Sequence, residues 1–312
     1  MKDYPLVSLI IISYNQRKYI EDCMQSILHL SYPNIEFLYL DDCSPDGTYD
    51  VAECYEKKIR ERYNCLAFTK NSKNRGLIAN LNELIKRCNG KYVKFMAADD
   101  FLLEDSIASV VEYMEKHAEY DMVYTNGVYG DSNTHFPFRG IDKERTLYQG
   151  EQPNGSSIFS QLYEKDFIAA PTVMIRRSVY SRLGVYDDKI GIEDWEYFLR
   201  IAQNGSIGYI DTVTVMYRFT DTSLSHSNSP VKRINMQKSG LLIQEKYKTQ
   251  VQNSAQIINK SFNDAYRDAL HIDDSAYFEF LTDYAKRNQT VITGKNRFRY
   301  ILYKLGIFKL FG

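Results

Sequence analysis

The chain has 312 residues, of which 44% are apolar, with 39 basic and 40 acidic side chains. This composition can fill a sizeable core and excludes a disordered chain. The net charge of −1 argues against the broad basic surface that general nucleic-acid binding needs. The charge is uneven, because residues 230–312 carry 14 basic and 7 acidic side chains. We therefore expect an acidic main domain followed by a basic C-terminal segment.

The cysteines and the N-terminal residues indicate the compartment. All five cysteines lie within the first 90 residues and form no Cys-x-x-Cys pair, which favours buried free thiols in a reducing compartment. The first apolar run, 6–12, is too short to span a membrane, and no signal-peptide cleavage pattern follows it. These features predict a cytoplasmic protein.

Short apolar runs alternate with helix-period segments through the first 125 residues. The predicted strands are 6–12, 35–40, 65–69, 92–97 and 122–125, and the apolar stripes of helices fall at 20–28, 51–59, 77–88 and 107–114. This alternation predicts an α/β fold with an open, mostly parallel sheet flanked by helices. We expect the pair Asn89-Gly90 to end the third helix with a left-handed residue.

The second half of the chain is less regular. Residues 126–165 are polar and weakly periodic, which predicts loops and short strands, and order resumes at 169–175. A helix is expected from about Glu193, with Trp195 on its apolar face, and closing strands at 207–210 and 213–219. Beyond 228 the pattern is helical. We therefore predict one domain over 1–228 and a helical extension over 229–312.

Polar clusters follow three of the predicted strands. Ser13-Tyr14-Asn15 follows the first strand, Asp41-Asp42 the second and Asp99-Asp100 the fourth. Ligands of open α/β sheets bind where the carboxyl ends of the strands meet. The sequence therefore predicts a binding site at this edge of the sheet.

The pair Asp99-Asp100 is a candidate metal site. Adjacent carboxylates repel each other, and a divalent cation or a polyol can neutralise them. Mg²⁺ or Mn²⁺ would share its oxygen ligands with substrate phosphates, and Arg75, between Asn74 and Gly76, could face the same diphosphate. The alternatives are an exposed loop or helix-capping pair and an ordinary surface arginine.

Two further acidic pairs have both a structural and a functional interpretation. Asp41-Asp42 suits a strand-to-helix turn, or one carboxylate accepts a hydrogen bond from a base or a ribose hydroxyl. Asp194 could be a helix N-cap, or Glu193-Asp194 could supply the base that deprotonates an attacking hydroxyl. The sequence contains no Gly-x-Ser-x-Gly, His-Glu-x-x-His, Walker or Gly-x-Gly-x-x-Gly motif that would indicate another chemistry.

Taken in order, these segments resemble the inverting glycosyltransferases of family 2, which have the nucleotide-diphospho-sugar fold called GT-A. The resemblance covers about residues 5–220. It rests on six segments: Val7–Asn15, Asp41-Asp42-Cys43-Ser44, Asn74-Arg75-Gly76, Phe95–Asp100, Gly184-Val185-Tyr186-Asp187 and Glu193–Glu196. One position departs from the family pattern, because Ala97 stands where the metal motif has its first aspartate.

The resemblance implies a role for each segment. Residues 1–125 would form the nucleotide-binding half and 126–228 the acceptor half. Asp42 would bind uracil or an equivalent base. Asp99 would be the principal ligand of Mn²⁺ or Mg²⁺, with Asp100 on the metal or the ribose. Asp194 would be the catalytic base next to Glu193. The other implied donor-binding residues are Ser13, Tyr14, Asn15, Asn74, Arg75 and Ala98.

The implied reaction is a single displacement with inversion at the anomeric carbon. A donor such as a UDP-sugar would give its sugar to a hydroxyl of a glycan or lipid-linked acceptor, as in bacterial surface polysaccharide synthesis. Two other functions stay open at this point. A sugar nucleotidyltransferase shares the alternating start but needs a glycine-rich loop after the first strand, which is missing here. A non-catalytic sugar-nucleotide or glycan-binding module is the second.

The last residues, 295–312, combine five basic side chains with many aromatic and aliphatic ones and contain no acid. Such a segment can bind peripherally to an anionic inner membrane leaflet, where a lipid-linked acceptor would be found. Packing on its own domain or on a second subunit of a homo-oligomer is the alternative.

Overall fold

The computed structural model describes residues 4–137, 143–155, 157–219, 229–272 and 274–304, with side chains up to residue 301. The strands are β1 (Val7–Ser13), β2 (Ile35–Asp41), β3 (Asn64–Lys70), β4 (Tyr92–Ala97), β5 (Phe101–Leu102), β6 (Met122–Gly130), β7 (Met174–Arg176) and β8 (Ile207–Arg218). The helices are α1 (Ile20–Leu28), α2 (Thr48–Arg62), α3 (Leu77–Arg87), α4 (Ser106–Lys116), α5 (Ile158–Glu164), α6 (Arg177–Leu183), α7 (Glu193–Asn204), α8 (Pro230–Tyr247), α9 (Ser254–Ile272), α10 (Ser275–Asn288) and α11 (Gly294–Lys304).

The eight strands form one sheet in the order β3-β2-β1-β4-β7-β6-β8-β5. β3, β2, β1 and β4 are parallel neighbours, and β6 is parallel to β8. β7 runs antiparallel to both β4 and β6, and β5 runs antiparallel to β8. The predicted mostly parallel α/β sheet with flanking helices is confirmed.

Burial explains why the central strands form. Every residue of β1 and β2 is buried, as expected for strands covered by helices on both faces. The predicted stripe on α1, which includes Ile20, Cys23 and Ile27, packs in the main core. The sheet is therefore a rigid support, and its carboxyl edge is the place where loop side chains can be fixed accurately.

The structure differs from the sequence-based prediction in three places. The two closing strands are one continuous strand, β8, whose pairing with β6 contains irregularities near Asn126. β6 runs five residues further than predicted, to Gly130, and α5 lies within the segment expected to be loops. The polarity of this segment did not predict these two elements. The end of β6 is ordered by pairing with β8 and α5 by packing on α7, and neither interaction leaves a periodic pattern in the sequence.

The predicted left-handed residue at Asn89-Gly90 is wrong, since neither residue has a positive φ. A Cβ atom at Gly90 would lie 2.6 Å from the main-chain nitrogen of Ser8. The Gly90 N–H donates to Ser8 Oγ at 3.0 Å and to Glu36 Oε1 at 2.9 Å. Glycine is needed there because the chain approaches β1 closely, and not because of its φ angle.

The contacts divide the chain into two compact units, Met1–Asp188 with Glu193–Thr220 and Lys189–Ile192 with Asp221–Gly312. The second unit contains α8 to α11 around its own apolar core, in which Phe262, Leu281 and Tyr284 are fully buried. The predicted boundary at 228 falls next to 220–228, which lie outside the described residues. Among the described helices, none is both long and apolar enough to cross a membrane.

Candidate active site

The polar segments after β1, β2 and β4 meet at one edge of the sheet. Asp42 N donates to Ser13 O at 2.9 Å, and Ala98 N donates to Ile12 O at 3.2 Å. These bonds continue the parallel pairing of the three strands to their last residues. The site predicted at the carboxyl edge therefore has its nucleotide-side segments in adjacent positions.

Asp42 is a buried carboxylate that organises the loop after β3. Its two oxygens accept hydrogen bonds from the main-chain nitrogens of Arg75 and Gly76 and from Asn71 Nδ2, each at 2.8 Å. Burial alone would raise the pKa of Asp42, but these donors outweigh it and lower the pKa below its usual value. The ionised side chain thus fixes the segment Asn74-Arg75-Gly76, which was predicted to lie near the diphosphate of the donor.

The other residues around the first two strand ends are fixed by a second set of bonds. Ser13 Oγ donates to Asp41 Oδ2 at 2.9 Å and contacts the hydroxyl of Tyr39 at 2.8 Å. Asn15 has a left-handed φ of 56° and its N–H donates to Ser44 Oγ at 3.0 Å. Tyr14, between them, is 46% exposed. Of the three predicted nucleotide-side residues, Tyr14 and Asn15 are exposed to a ligand and Ser13 is buried.

The loop before α3 carries the predicted diphosphate residues. Asn74 Oδ1 accepts a hydrogen bond from Gly76 N at 3.1 Å, and Gly76 has a φ of 82°. The Arg75 guanidinium forms an ion pair with Glu83 and remains 38% exposed. An exposed ion pair is weak, so this cation can be redirected to an anionic ligand at low cost.

Asp99 and Asp100 differ in their surroundings. Asp100 is 3% exposed and its Oδ1 accepts a hydrogen bond from Arg218 N at 2.8 Å, whereas Asp99 is only partly buried. Burial raises the pKa of both carboxyl groups, and the charge of Asp99 raises that of Asp100 further. Ala98, between β4 and this pair, is fully buried. The pair is therefore a concentration of negative charge that the protein leaves partly uncompensated.

These residues fit a divalent cation that shares its ligands with a substrate. Two carboxylates supply the oxygen donors that Mg²⁺ and Mn²⁺ prefer, and Mg²⁺ commonly takes only one or two carboxylates from a protein and the rest from phosphates and water. Within the described residues, no cluster of three or more Asp, Glu, His or Cys side chains could hold a metal unaided. A cation held by Asp99 would take its other ligands from substrate phosphates and water.

A second group of acids lies at the start of α7. Glu193 and Asp194 occupy its first turn and line a narrow cavity of about 20 Å³ together with Tyr186. Burial and the charge of Asp194 raise the pKa of Glu193 to about 8, and burial raises the pKa of Asp194. A cavity of this size admits about one water molecule or one hydroxyl group. The rest of its lining is Leu81, Val93, Phe95, Ala170, Val173, Ile175, Tyr180 and Phe198.

Packing connects this cavity to the strand edge. Val93 and Phe95 of β4 line it, and β4 leads directly to Asp99. Asn82 of α3 exchanges two hydrogen bonds with the main chain of Tyr186, at 2.9 and 3.0 Å. The helix that follows the Arg75 loop is therefore bonded to the segment that leads to Glu193. Asp99-Asp100 and the Glu193-Asp194 cavity are thus both attached to β4, whereas Asp42 follows β2, two strands away in the sheet, and neither Asp42 nor Asp99 lines the cavity.

Sequence reasoning missed one acid of this second group. Asp166 lies just after α5, and its Oδ1 atom is buried without a hydrogen-bond partner. Burial raises the pKa of Asp166 well above its usual value, and the charges of Asp194 and Glu193 raise it further. Asp166 precedes Asp194 by 28 positions in a segment without periodicity. No local signal in the sequence could have paired them.

Lys94 is a buried cation inside the apolar strand β4. Its Nζ donates to the carbonyl oxygens of Pro171 and Val173, the second at 3.2 Å. Burial lowers the pKa of Lys94 to about 7, and the charge of Asp100 opposes this shift. Lys94 thus joins the sheet to the 3₁₀ turn Ala170–Thr172 beside the cavity.

The buried lysine predicts a pH dependence of stability. Between pH 7 and 10.5 the unfolded chain binds a proton at Lys94 that the folded chain releases, so stability should rise with pH in that window. Relative to Lys94→Met, the free energy of unfolding of the wild type should increase by about 3 kcal/mol from pH 7 to 9.5. Urea unfolding of both chains at several pH values measures this. A constant difference between the two chains would contradict the prediction.

The sequence model of the family described as "Glycosyl transferase family 2" matches residues 8–184, more than half of the chain. The chain therefore belongs to family 2 of the glycosyltransferases, as the six segments predicted.

A curated relative is similar to this chain in sequence, and solved structures have the same fold. TuaG of Bacillus subtilis (strain 168), named as a glycosyltransferase of teichuronic acid biosynthesis, is 29% identical over 228 residues, which are 71% of this chain and 82% of TuaG. The crystal structure of S. aureus TarS 1–349 with UDP-GlcNAc matches with a TM-score of 0.65 at 16% identity, covering 97% of this chain and 88% of that one. The mannosyltransferase PcManGT from Pyrobaculum calidifontis, with GDP-Man and Mn²⁺, has a TM-score of 0.58 at 14% identity, covering 99% and 82%.

Proposed function

We propose that this glycosyltransferase moves a sugar, with inversion, from a nucleotide-diphospho-sugar such as a UDP-sugar to a hydroxyl of a glycan or lipid-linked acceptor. The observation that carries the proposal is that Asp42 and Asp99-Asp100 follow parallel strands at one edge of the sheet, while Glu193 and Asp194 line a cavity against β4. Asp42 is ionised and bonded to the Arg75 loop, and Asp99-Asp100 suits a divalent cation. Glu193-Asp194 line a cavity of the size of one hydroxyl group.

The donor would bind across the ends of β1, β2 and β4. Asp42 would accept a hydrogen bond from the base, and Tyr14 offers an exposed aromatic ring beside it. Arg75 would exchange its pair with Glu83 for an oxygen of the diphosphate. A divalent cation, when bound by Asp99, supplies positive charge that stabilises the departing nucleoside diphosphate.

Asp194 would remove the proton of the acceptor hydroxyl. A buried carboxylate with a raised pKa is a stronger base than an exposed one. Glu193, with a pKa of about 8, would remain mostly protonated beside it and leave Asp194 as the ionised member of the pair.

The relatives support the class of donor and the process. The structures of TarS with UDP-GlcNAc and of PcManGT with GDP-Man have the same fold. TuaG is named for teichuronic acid biosynthesis. We therefore propose surface polysaccharide assembly as the process. The family match does not support the alternative of a sugar nucleotidyltransferase.

The direct test is a donor screen. Purified chain with Mn²⁺ is incubated with a panel of UDP-sugars and GDP-mannose, and released nucleoside diphosphate is measured with and without EDTA. We expect slow release from one donor class that EDTA suppresses. A chain that binds donors but releases no nucleoside diphosphate from any of them would favour a non-catalytic binding module.

Asp42→Asn should weaken nucleotide binding. The amide cannot accept all three hydrogen bonds that hold Asn71, Arg75 and Gly76, and a hydrogen bond to a charged group contributes about 1.5–3 kcal/mol. We expect the affinity for UDP, measured by calorimetry, to fall roughly tenfold or more. Asp264→Asn is the control, because the Asp264 carboxylate pairs with Arg267 one turn along the same helix. Equal UDP affinity in the two variants would refute the role of Asp42.

The basic face of α11 is proposed to contact anionic lipid. Phe298 and Ile301 are 61% and 53% exposed at adjacent turns, and Lys295 and Arg297 are exposed beside them. Basic side chains near an anionic surface contribute about 1 kcal/mol each. Apolar and basic side chains on one short helix are typical of peripheral membrane binding.

Vesicle sedimentation tests this contact. We expect the chain to pellet with phosphatidylglycerol vesicles and not with phosphatidylcholine vesicles. Changing Lys295, Arg297 and Arg299 to glutamine should weaken the binding roughly a hundredfold. The control changes three exposed lysines elsewhere to glutamine: Lys57, Lys58 and Lys86. A loss of binding that is equal in both triple variants would contradict a specific α11 contact.

A further inference from the structure

Arg218, the last residue of β8, has a fully buried guanidinium group. Its Nη2 donates to Asp22 Oδ2 at 2.9 Å and to Thr134 O at 2.7 Å. Its Nε and Nη1 atoms are buried and have no hydrogen-bond acceptor. Unmet N–H groups on a buried cation are costly, so they call for a physical explanation.

Asp22 of α1 explains why the guanidinium stays in this position. Besides Arg218, Asp22 accepts hydrogen bonds from the main-chain nitrogen of Phe136 at 3.1 Å and contacts His135 Nδ1 at 3.0 Å. The ring of Tyr19 lies 4.5 Å from the guanidinium carbon of Arg218, within the range of a cation–π contact. The guanidinium is thus held at one end by a carboxylate and across its face by a ring.

The same residue contacts the acidic pair through its main chain. Arg218 N donates to Asp100 Oδ1 at 2.8 Å, and the guanidinium charge acts on both Asp99 and Asp100, opposing the burial that raises their pKa values. No hydrogen bond joins the guanidinium to either carboxylate among the described contacts. A cation with unmet donors therefore lies near two carboxylates without bonding to them.

We propose that Asp22 and Arg218 form a positioning pair, in which Asp22 restrains the guanidinium so that Asp99 stays available to a divalent cation while Arg218 N fixes Asp100. The proposal rests on the proposed function, because it concerns the cation of the donor complex. Without the Asp22 charge, the free N–H groups of Arg218 would bind Asp99 or Asp100 and compete with the cation. In this arrangement Asp22 affects the cation site only through Arg218.

The test measures Mn²⁺ binding by electron paramagnetic resonance, in the full chain, with UDP and with UMP, which lacks the second phosphate. Asp22→Asn keeps the shape of the side chain and removes its charge. We expect its affinity for Mn²⁺ in the presence of UDP to be weaker by roughly tenfold, as is usual for residues that orient metal ligands. With UMP, wild type and variant should both bind Mn²⁺ weakly.

A double variant separates this role from a structural one. In Asp22→Asn with Arg218→Met, the competing guanidinium is gone and the main-chain N–H to Asp100 remains. We expect Mn²⁺ affinity to return to within about threefold of wild type, a recovery that loss of packing could not produce. If Asp22→Asn does not fold, Arg218→Lys is measured instead, since a lysine keeps the charge but lacks the planar group that lies over the Tyr19 ring, and the same weakening is expected.

Two controls complete the experiment. Glu21→Gln removes a charge from the same helix, and the hydrogen bonds of Glu21 go to Gln25 and Tyr55, outside the pair. It should leave Mn²⁺ affinity unchanged. UDP affinity in EDTA tests the proposed nucleotide site separately and should be equal in all folded variants. Wild-type affinity for Mn²⁺ in Asp22→Asn, or a double variant as weak as the single one, would overturn the positioning pair.

Discussion

The Asp194→Asn variant is expected to lose about 10²–10⁴-fold in sugar transfer while it still binds the donor. The amide keeps the shape of the side chain but cannot accept the proton of the attacking hydroxyl. Donor binding should survive because Asp42, Asp99 and the Arg75 loop are not altered. Nucleoside diphosphate release gives the rate, and calorimetry with UDP and Mn²⁺ gives the affinity.

The same variant should be more stable than the wild type at neutral pH. Burial raises the pKa values of Asp194 and Asp166, so their ionised forms destabilise the folded state above their usual pKa. Asparagine removes one of these charges. Glu164→Gln, at the exposed end of α5, is the matched control and should change neither rate nor stability. Unchanged turnover in Asp194→Asn would mean that another group is the base.

Asp99→Asn is expected to remove the dependence of donor turnover on Mn²⁺ and to lower the turnover at least a hundredfold. Asp99 is the more accessible carboxylate of its pair, since Asp100 is 3% exposed and bonded to Arg218 N. A neutral amide is a poor ligand for a hard cation. Turnover is measured over a range of Mn²⁺ concentrations, and Mn²⁺ binding is measured separately.

Stability again separates a functional role from a structural one. Burial raises the pKa of Asp99, so the Asp99→Asn chain should unfold at a higher urea concentration than the wild type. Asp105→Asn is the control, because Asp105 accepts a hydrogen bond from Ser31 Oγ at 2.7 Å a few residues further along the chain. A variant at Asp99 that keeps its full response to Mn²⁺ would exclude this residue as the principal ligand.

The strand edge could be predicted from the sequence because its signals are local. A fully apolar run such as β1 must be buried, and polar residues directly after it must lie at its end. The parallel order then brings Asp42 and Asp99 to the same side. The same reasoning predicted the start of α7 at Glu193, since the apolar stripe that includes Trp195 begins there.

Other features depend on contacts between distant segments. Arg218 and Asp22 form a hydrogen bond although they are 196 positions apart. Asp166 and Asp194 lie in different segments of the chain and interact through their charges. No periodicity in the sequence links either pair. Lys94 stands in an apolar strand, where a lysine normally indicates a solvent-facing position. It is buried because the carbonyl groups of Pro171 and Val173 receive its hydrogen bonds. Such groups become recognisable only when burial and hydrogen-bond partners are known.

The proposed reaction is a single displacement in which Asp194 activates the attacking oxygen. Water can replace the acceptor, so donor hydrolysis reports the stereochemistry even when the acceptor is unidentified. Real-time proton NMR of the turnover of an α-linked donor found in the screen, such as UDP-GlcNAc, follows the first sugar released before it mutarotates. We expect the β anomer to appear first and the α anomer to grow from it. Initial release of the α anomer would contradict the single displacement.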